Sequence, residues 1–207
     1  MLSPCGLDPI YYLRDLKRKF MKTLRWVAII LLGLLILGYF FGIPYMREQT
    51  KKNSPEMTAL YQQDGLDLEV HYCSPSKKNR EILGALVPYG EVWRTGANEP
   101  TTFQTATDIE IGGQKLNKGL YSVWTIPGPE QWTVIFNRDV PDWGVTLSSL
   151  GRKTTRNPES DVIQVVVPAD RTQEIRENFQ IQFISPQGRL YLQMAWDNIQ
   201  VSTPINQ

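Results

Sequence analysis

Residues 26 to 43 read WVAIILLGLLILGYFFGI and hold no charged or amide side chain. As a helix rising about 1.5 Å per residue, this run spans about 27 Å, close to the roughly 30 Å hydrocarbon core of a bilayer. A helix buried in a soluble core would still show water a polar face, and this one has none. Aromatic residues mark its ends, Trp26 at one and Tyr39, Phe40, Phe41 and Tyr45 at the other, as in an interfacial belt. Gly33, Gly38 and Gly42 are tolerated in lipid. The residues that follow, Phe41-Gly42-Ile43-Pro44-Tyr45, offer no small-x-small cleavage pattern, and no Cys stands there for lipid attachment. The run is therefore expected to persist as a signal-anchor helix.

Flanking charge sets the expected orientation. Arg14, Lys17, Arg18, Lys19, Lys22 and Arg25 precede the run against Asp8 and Asp15, whereas Arg47, Lys51 and Lys52 after it are diluted by Glu48 and Glu56. The positive-inside rule puts residues 1–25 in the cytoplasm and everything after Ile43 outside it, periplasmic or extracellular. Met21-Lys22-Thr23-Leu24-Arg25 reads as the opening of a shorter signal-anchor, and hence as a second candidate start of translation. Cys5 and Cys73 then fall on opposite sides of the bilayer and cannot pair within one chain. Cys73 reads as a small, half-buried apolar residue.

The full length of 207 residues suits one ordinary domain plus this appendage. Two Cys are too few for a disulfide scaffold, and a charged fraction of 21% is too ordinary for a disordered polyelectrolyte. Residues 58–207 carry 13 basic and 17 acidic groups, which disfavours nucleic acid as a partner. The expected organisation is a basic cytoplasmic segment (1–25), a transmembrane helix (26–43), a polar linker (44–57) and an outer domain (58–207).

The outer domain reads as all-β. Leu66, Leu68, Val70 and Tyr72 alternate with Asp67, Glu69 and His71, the period of a half-buried strand, so the sole His faces solvent beside two carboxylates. Asp108–Ile111, Gly112-Gly113 and Gln114–Leu116 predict a hairpin with a two-residue turn. Further runs lie at 120–126, 132–136, 162–167, 179–183, 190–196 and 199–203, with Asp197-Asn198 separating the last two. Short strands at this spacing, without βαβ alternation, predict an antiparallel β-sandwich or partly open barrel. Trp124, Trp132 and Trp196 fall within strand runs and are expected in the core. Residues 145–160 break the pattern and read as an exposed loop.

Several chemistries are missing. There is no phosphate loop and no Gly-x-Ser-x-Gly elbow. A single His excludes a His-His metal site, and Cys73 has no second thiol nearby, so neither a metal nor a cofactor is expected. Cys73 and His71 are two apart on one strand, too far for a nucleophile-base dyad. Residues 74–102 stand out instead. They concentrate Arg80, Glu81, Tyr89, Trp93, Arg94, Asn98, Glu99, Thr101 and Thr102, with Gly90 and Gly96 permitting tight turns.

Within that segment, Ser74-Pro75-Ser76-Lys77-Lys78, Arg80-Glu81-Ile82, Leu86-Val87-Pro88-Tyr89-Gly90 and Val92-Trp93-Arg94-Thr95-Gly96-Ala97-Asn98-Glu99 resemble the signature of the bacterial domain-of-unknown-function family 2911. The similarity continues through Ile111-Gly112-Gly113, Gly119–Ser122, Thr125–Gly128, Trp132–Ile135, Trp143-Gly144 and Val201–Ile205, covering roughly residues 60–205. The resemblance implies an exported domain. It brings no agreed activity and no catalytic residues. Pro100, Cys73 and the 145–160 loop depart from the family pattern, the loop lacking the Tyr-Asp-rich stretch often found after Trp-Gly.

Three readings of the segment follow. In the first, Arg80, Tyr89, Trp93, Arg94, Asn98, Glu99 and Thr101 line a polar pocket for a small molecule or envelope component, with the two Arg holding an anionic group and Trp93 stacking on a ring. In the second, Glu99 or Glu81 is the general acid/base of a hydrolase and Arg94 its electrostatic partner. In the third, Arg80, Arg94, Asn98 and Glu99 form an internal hydrogen-bond network that pins an irregular loop.

Overall fold

The computed structural model describes residues 9–146, 149 and 151–207. Cys5 and Asp8, and Leu147, Ser148 and Leu150 of the expected loop, lie outside the described residues. The chain divides into two compact units, residues 1–49 and 50–207.

The first unit is helical. Helix α1 (Pro9–Leu37) passes into a π-helical turn (Gly38–Gly42) and then into α2 (Ile43–Lys51). Pro44 explains the turn. It has no N–H to give to Phe40, and its ring would strike that carbonyl in a regular helix; the widened turn, in which Ile43 donates to Gly38, makes room. No described residue of this helix is buried, and the stretch is long and apolar enough to cross a membrane. Helix continues over residues 44–51, the first half of the expected linker, because Met46–Lys51 are compatible with helix once Pro44 is passed.

The second unit is all-β, as the alternation predicts. Among the described residues its nine strands are β1 (Glu56–Gln63), β2 (Leu66–Cys73), β3 (Thr101–Thr105), β4 (Ile109–Ile111), β5 (Gln114–Leu116), β6 (Gly119–Ile126), β7 (Gln131–Asn137), β8 (Asp161–Ile184) and β9 (Leu190–Asn206). Every pairing is antiparallel, in the order β1-β2-β3-β6-β7-β8-β9-β4-β5. Strand β8 pairs with β7 over residues 161–168 and with β9 over 169–184, so it belongs to both halves of one open sheet. The halves face each other: Phe103 of β3 lies 6.5 Å from Phe183 of β8, and Tyr72 of β2 lies 5.8 Å from Phe179.

The core follows the period-two pattern. Leu66, Leu68, Val70 and Tyr72 are buried, and His71 is exposed between Glu69 and Thr58. Trp124, Trp132 and Trp196 are fully sealed. The predicted hairpin turns at Gly112 and Gly113, both at positive φ (60° and 77°). Two expected breaks are absent. Runs 162–167 and 179–183 are one strand, carried across the polar stretch 170–178 by register shifts. Runs 190–196 and 199–203 are likewise one strand, with Asp197 taking the local kink at φ 54°.

Candidate functional site

The chain leaves β2 at Cys73 and returns at β3 through residues 74–100, an irregular excursion fixed to the sheets at several points. Ser74 Oγ donates to the Phe179 carbonyl at 2.6 Å, and the Lys77 amide donates to the Glu177 carbonyl at 2.7 Å. Trp93 exchanges both backbone hydrogen bonds with Thr125, at 2.7 and 3.0 Å. Thr101 Oγ1 donates to the Thr95 carbonyl and Thr95 Oγ1 meets Thr125 Oγ1, so Thr101 is a buried brace. Trp93 is buried too. It stacks on Trp196 (5.9 Å, 16°), meets Trp132 and Phe179 edge-on, and donates Nε1–H to the Gly96 carbonyl. Its ring is engaged in the core.

Between this excursion and the start of the unit lies a cavity of about 540 Å³, lined among others by Lys78, Arg80, Arg94, Asn98, Trp93 and Trp196. Among the described residues its walls hold three cationic side chains and no carboxylate. Lys78 Nζ donates to the Asn53 amide oxygen at 2.9 Å. Arg80 turns its fork onto the carbonyls of Lys77 and Ser76, at 2.9 and 2.6 Å. The Arg94 guanidinium forms no hydrogen bond or ion pair among the described residues, and its Nε is buried without a partner. Burial pulls its pKa below the ordinary value. Asn98 is 8% exposed; its amide nitrogen makes no hydrogen bond of regular geometry among the described residues and is turned toward the Cys73 thiol. By contrast, the neighbouring Lys77 is neutralised by Asp197 at 2.5 Å.

Glu99 faces elsewhere. Asn98 adopts a left-handed conformation (φ 58°), which sends Glu99 to a second cavity of about 450 Å³. There its carboxylate lies 3.3 Å from Lys51 Nζ and accepts from the Cys73 thiol at 3.6 Å. Lys51 also pairs with Glu56 at 2.7 Å. Ligand atoms of Glu56, Cys73 and Glu99 lie within 4.8 Å of one another, close enough to share a metal ion. The Lys51 ammonium already bridges the two carboxylates, and burial pushes the Cys73 thiol up to about 11, so the set is balanced as it stands.

Of the expected site residues, Arg80, Trp93, Arg94 and Asn98 share the first cavity. Glu99 lines the second, Tyr89 is an exposed residue packed on Gly84, and Thr101 is sealed inside. Glu81 is exposed and lines none of the cavities described. Arg80, Arg94, Asn98 and Glu99 do not hydrogen-bond to one another among the described residues, so they are not one network, and Arg94 and Glu99 are not a pair. Asn53, Lys78 and Trp196 also line the cavity. Lys78 was within reach of sequence reasoning, as part of the basic Ser74–Lys78 block; Trp196 was not, since only the fold brings β9 to this wall.

The fold and this cavity define an all-β domain carried behind an apolar N-terminal helix. A family model described as "Protein of unknown function (DUF2911)" matches residues 54–205, and the chain belongs to that family. No curated protein and no solved structure matches it significantly.

Proposed function

We propose that this chain is a membrane-tethered β-sandwich module that holds a small anionic ligand in the cavity of Lys78, Arg80 and Arg94. The apolar helix anchors it uncleaved, and the basic residues before that helix keep the N-terminus in the cytoplasm, so the domain works outside it. The observation that carries the binding reading is three cations around one cavity with no carboxylate among the described residues of its walls. A largely desolvated guanidinium is costly unless an anion lies beside it, and a phosphate or carboxylate can accept from its terminal N–H groups.

Inorganic phosphate titrated into the detergent-solubilised full chain tests this. The expected result is a rise in melting temperature that saturates with phosphate and weakens with salt. The double variant K78A/R80A is expected to abolish the rise; because it also removes the bonds to Asn53, Lys77 and Ser76, each protein is compared with its own unliganded melting temperature. An equal response from wild type and variant defeats the reading. Orientation is tested separately with alkaline phosphatase fused to the C-terminus, which is expected to be active; an inactive enzyme reverses the topology.

A further inference from the structure

The cationic cavity does not end at Arg94. A further cavity of about 380 Å³ shares Leu86, Val87, Trp93, Arg94 and Gly151 with it, so the two adjoin at the Arg94 side chain. Their linings differ. The walls particular to the second chamber include Pro88, Val92 and Val145, and its two other charges, Glu91 and Arg152, oppose each other in sign. Leu86 stands at the junction and is 49% exposed, a large apolar side chain with no cover.

From this junction we infer that the ligand is an elongated amphiphile, an anionic head on a short apolar tail. The inference rests on the anion-binding reading and adds its second half. The head takes the Lys78, Arg80 and Arg94 end, where the charged lining is cationic. The tail runs along the aliphatic stem of Arg94, covers Leu86 and Val87, and ends against Val92 and Val145. A compact anion such as free phosphate would fill the first chamber and leave the apolar one wet. An uncharged apolar molecule would leave Arg94 desolvated and unpaired, so neither half of the groove is satisfied alone.

The test is a ladder of inorganic, ethyl, butyl and hexyl phosphate, below their aggregation limits, titrated by calorimetry into the full chain in phosphatidylcholine nanodiscs, with empty nanodiscs as blank. Affinity is expected to rise about threefold to fourfold per methylene until the chamber is filled. In V92D, the ratio of hexyl phosphate affinity to inorganic phosphate affinity is expected to fall toward one. Replacing part of the nanodisc lipid with phosphatidic acid separates the sources: competition with hexyl phosphate marks a bilayer lipid as the amphiphile, and no competition marks a free one. Phosphate binding without any chain-length dependence overturns this inference and leaves the anion site standing. No binding of any member overturns both.

Discussion

Gly144 lies against the stem of Arg94. A β-carbon built on it would stand 2.4 Å from Arg94 Cδ and 2.9 Å from the Asn98 carbonyl, which accepts the Gly144 amide at 3.0 Å. Nothing larger than glycine fits unless both Arg94 and the Asn98 backbone move. Gly144→Ala is therefore expected to cost about 1–3 kcal/mol by overpacking, read from urea denaturation, and to weaken phosphate binding because the guanidinium is displaced.

Trp93 holds the floor of the cavity through its stack on Trp196 and its bond to the Gly96 carbonyl. Trp93→Ala removes a large buried ring and leaves space the neighbours cannot close. A loss of about 3–5 kcal/mol is expected, with a weaker near-ultraviolet circular dichroism signal from the remaining aromatic cluster. A destabilisation below 1 kcal/mol would contradict the packing described.

Asp161 gives the β domain an acid-sensitive point. Burial pushes its carboxyl up, but the Arg156 fork, the Asn137 amide and the Gln164 amide outweigh this and hold it below its ordinary 3.8. A depressed folded-state value contributes stability that is complete above the unfolded value of about 3.9 and is lost as pH falls through the folded one. Denaturation midpoints are expected to fall below pH 4. Asp161→Asn should flatten that dependence, and Asp161→Ala should cost about 3 kcal/mol at neutral pH by stranding Arg156.

The Cys73 thiol, 3% exposed and pushed up to about 11 by burial, is expected to resist alkylation at pH 8 in the native chain and to react fully in denaturant. Intact-mass measurement after iodoacetamide treatment gives the answer in a Cys5→Ser background, where Cys73 is the one thiol left. Rapid native labelling would mean that the wall around Glu99 opens.

The apolar helix makes a fractionation prediction. The chain is expected to stay with membranes through alkaline carbonate washing and to be released by detergent. Release by carbonate alone would exclude a spanning helix.

The sequence carried the parts that local chemistry controls. The alternation from Leu66 to Tyr72 and the Gly112-Gly113 turn each reflect contacts within a few residues, and both are found where expected. The continuity of β8 was hidden because residues 170–178 show no apolar period; their strand is imposed by the partner β9, through shifts in register. Arg94 and Glu99 are close in sequence and read as natural partners, yet the left-handed backbone at Asn98 turns them apart. The cavity was legible only in part, since Trp196 and Asn53 reach it from opposite ends of the domain.

Strand β8 lends its hydrogen bonds to β7 at one end and to β9 at the other. The two layers thus have no seam along which half of the domain could open by itself. Heating should melt residues 163–167 and 179–183 in a single cooperative step, and their amide protons should exchange with solvent through the same global opening.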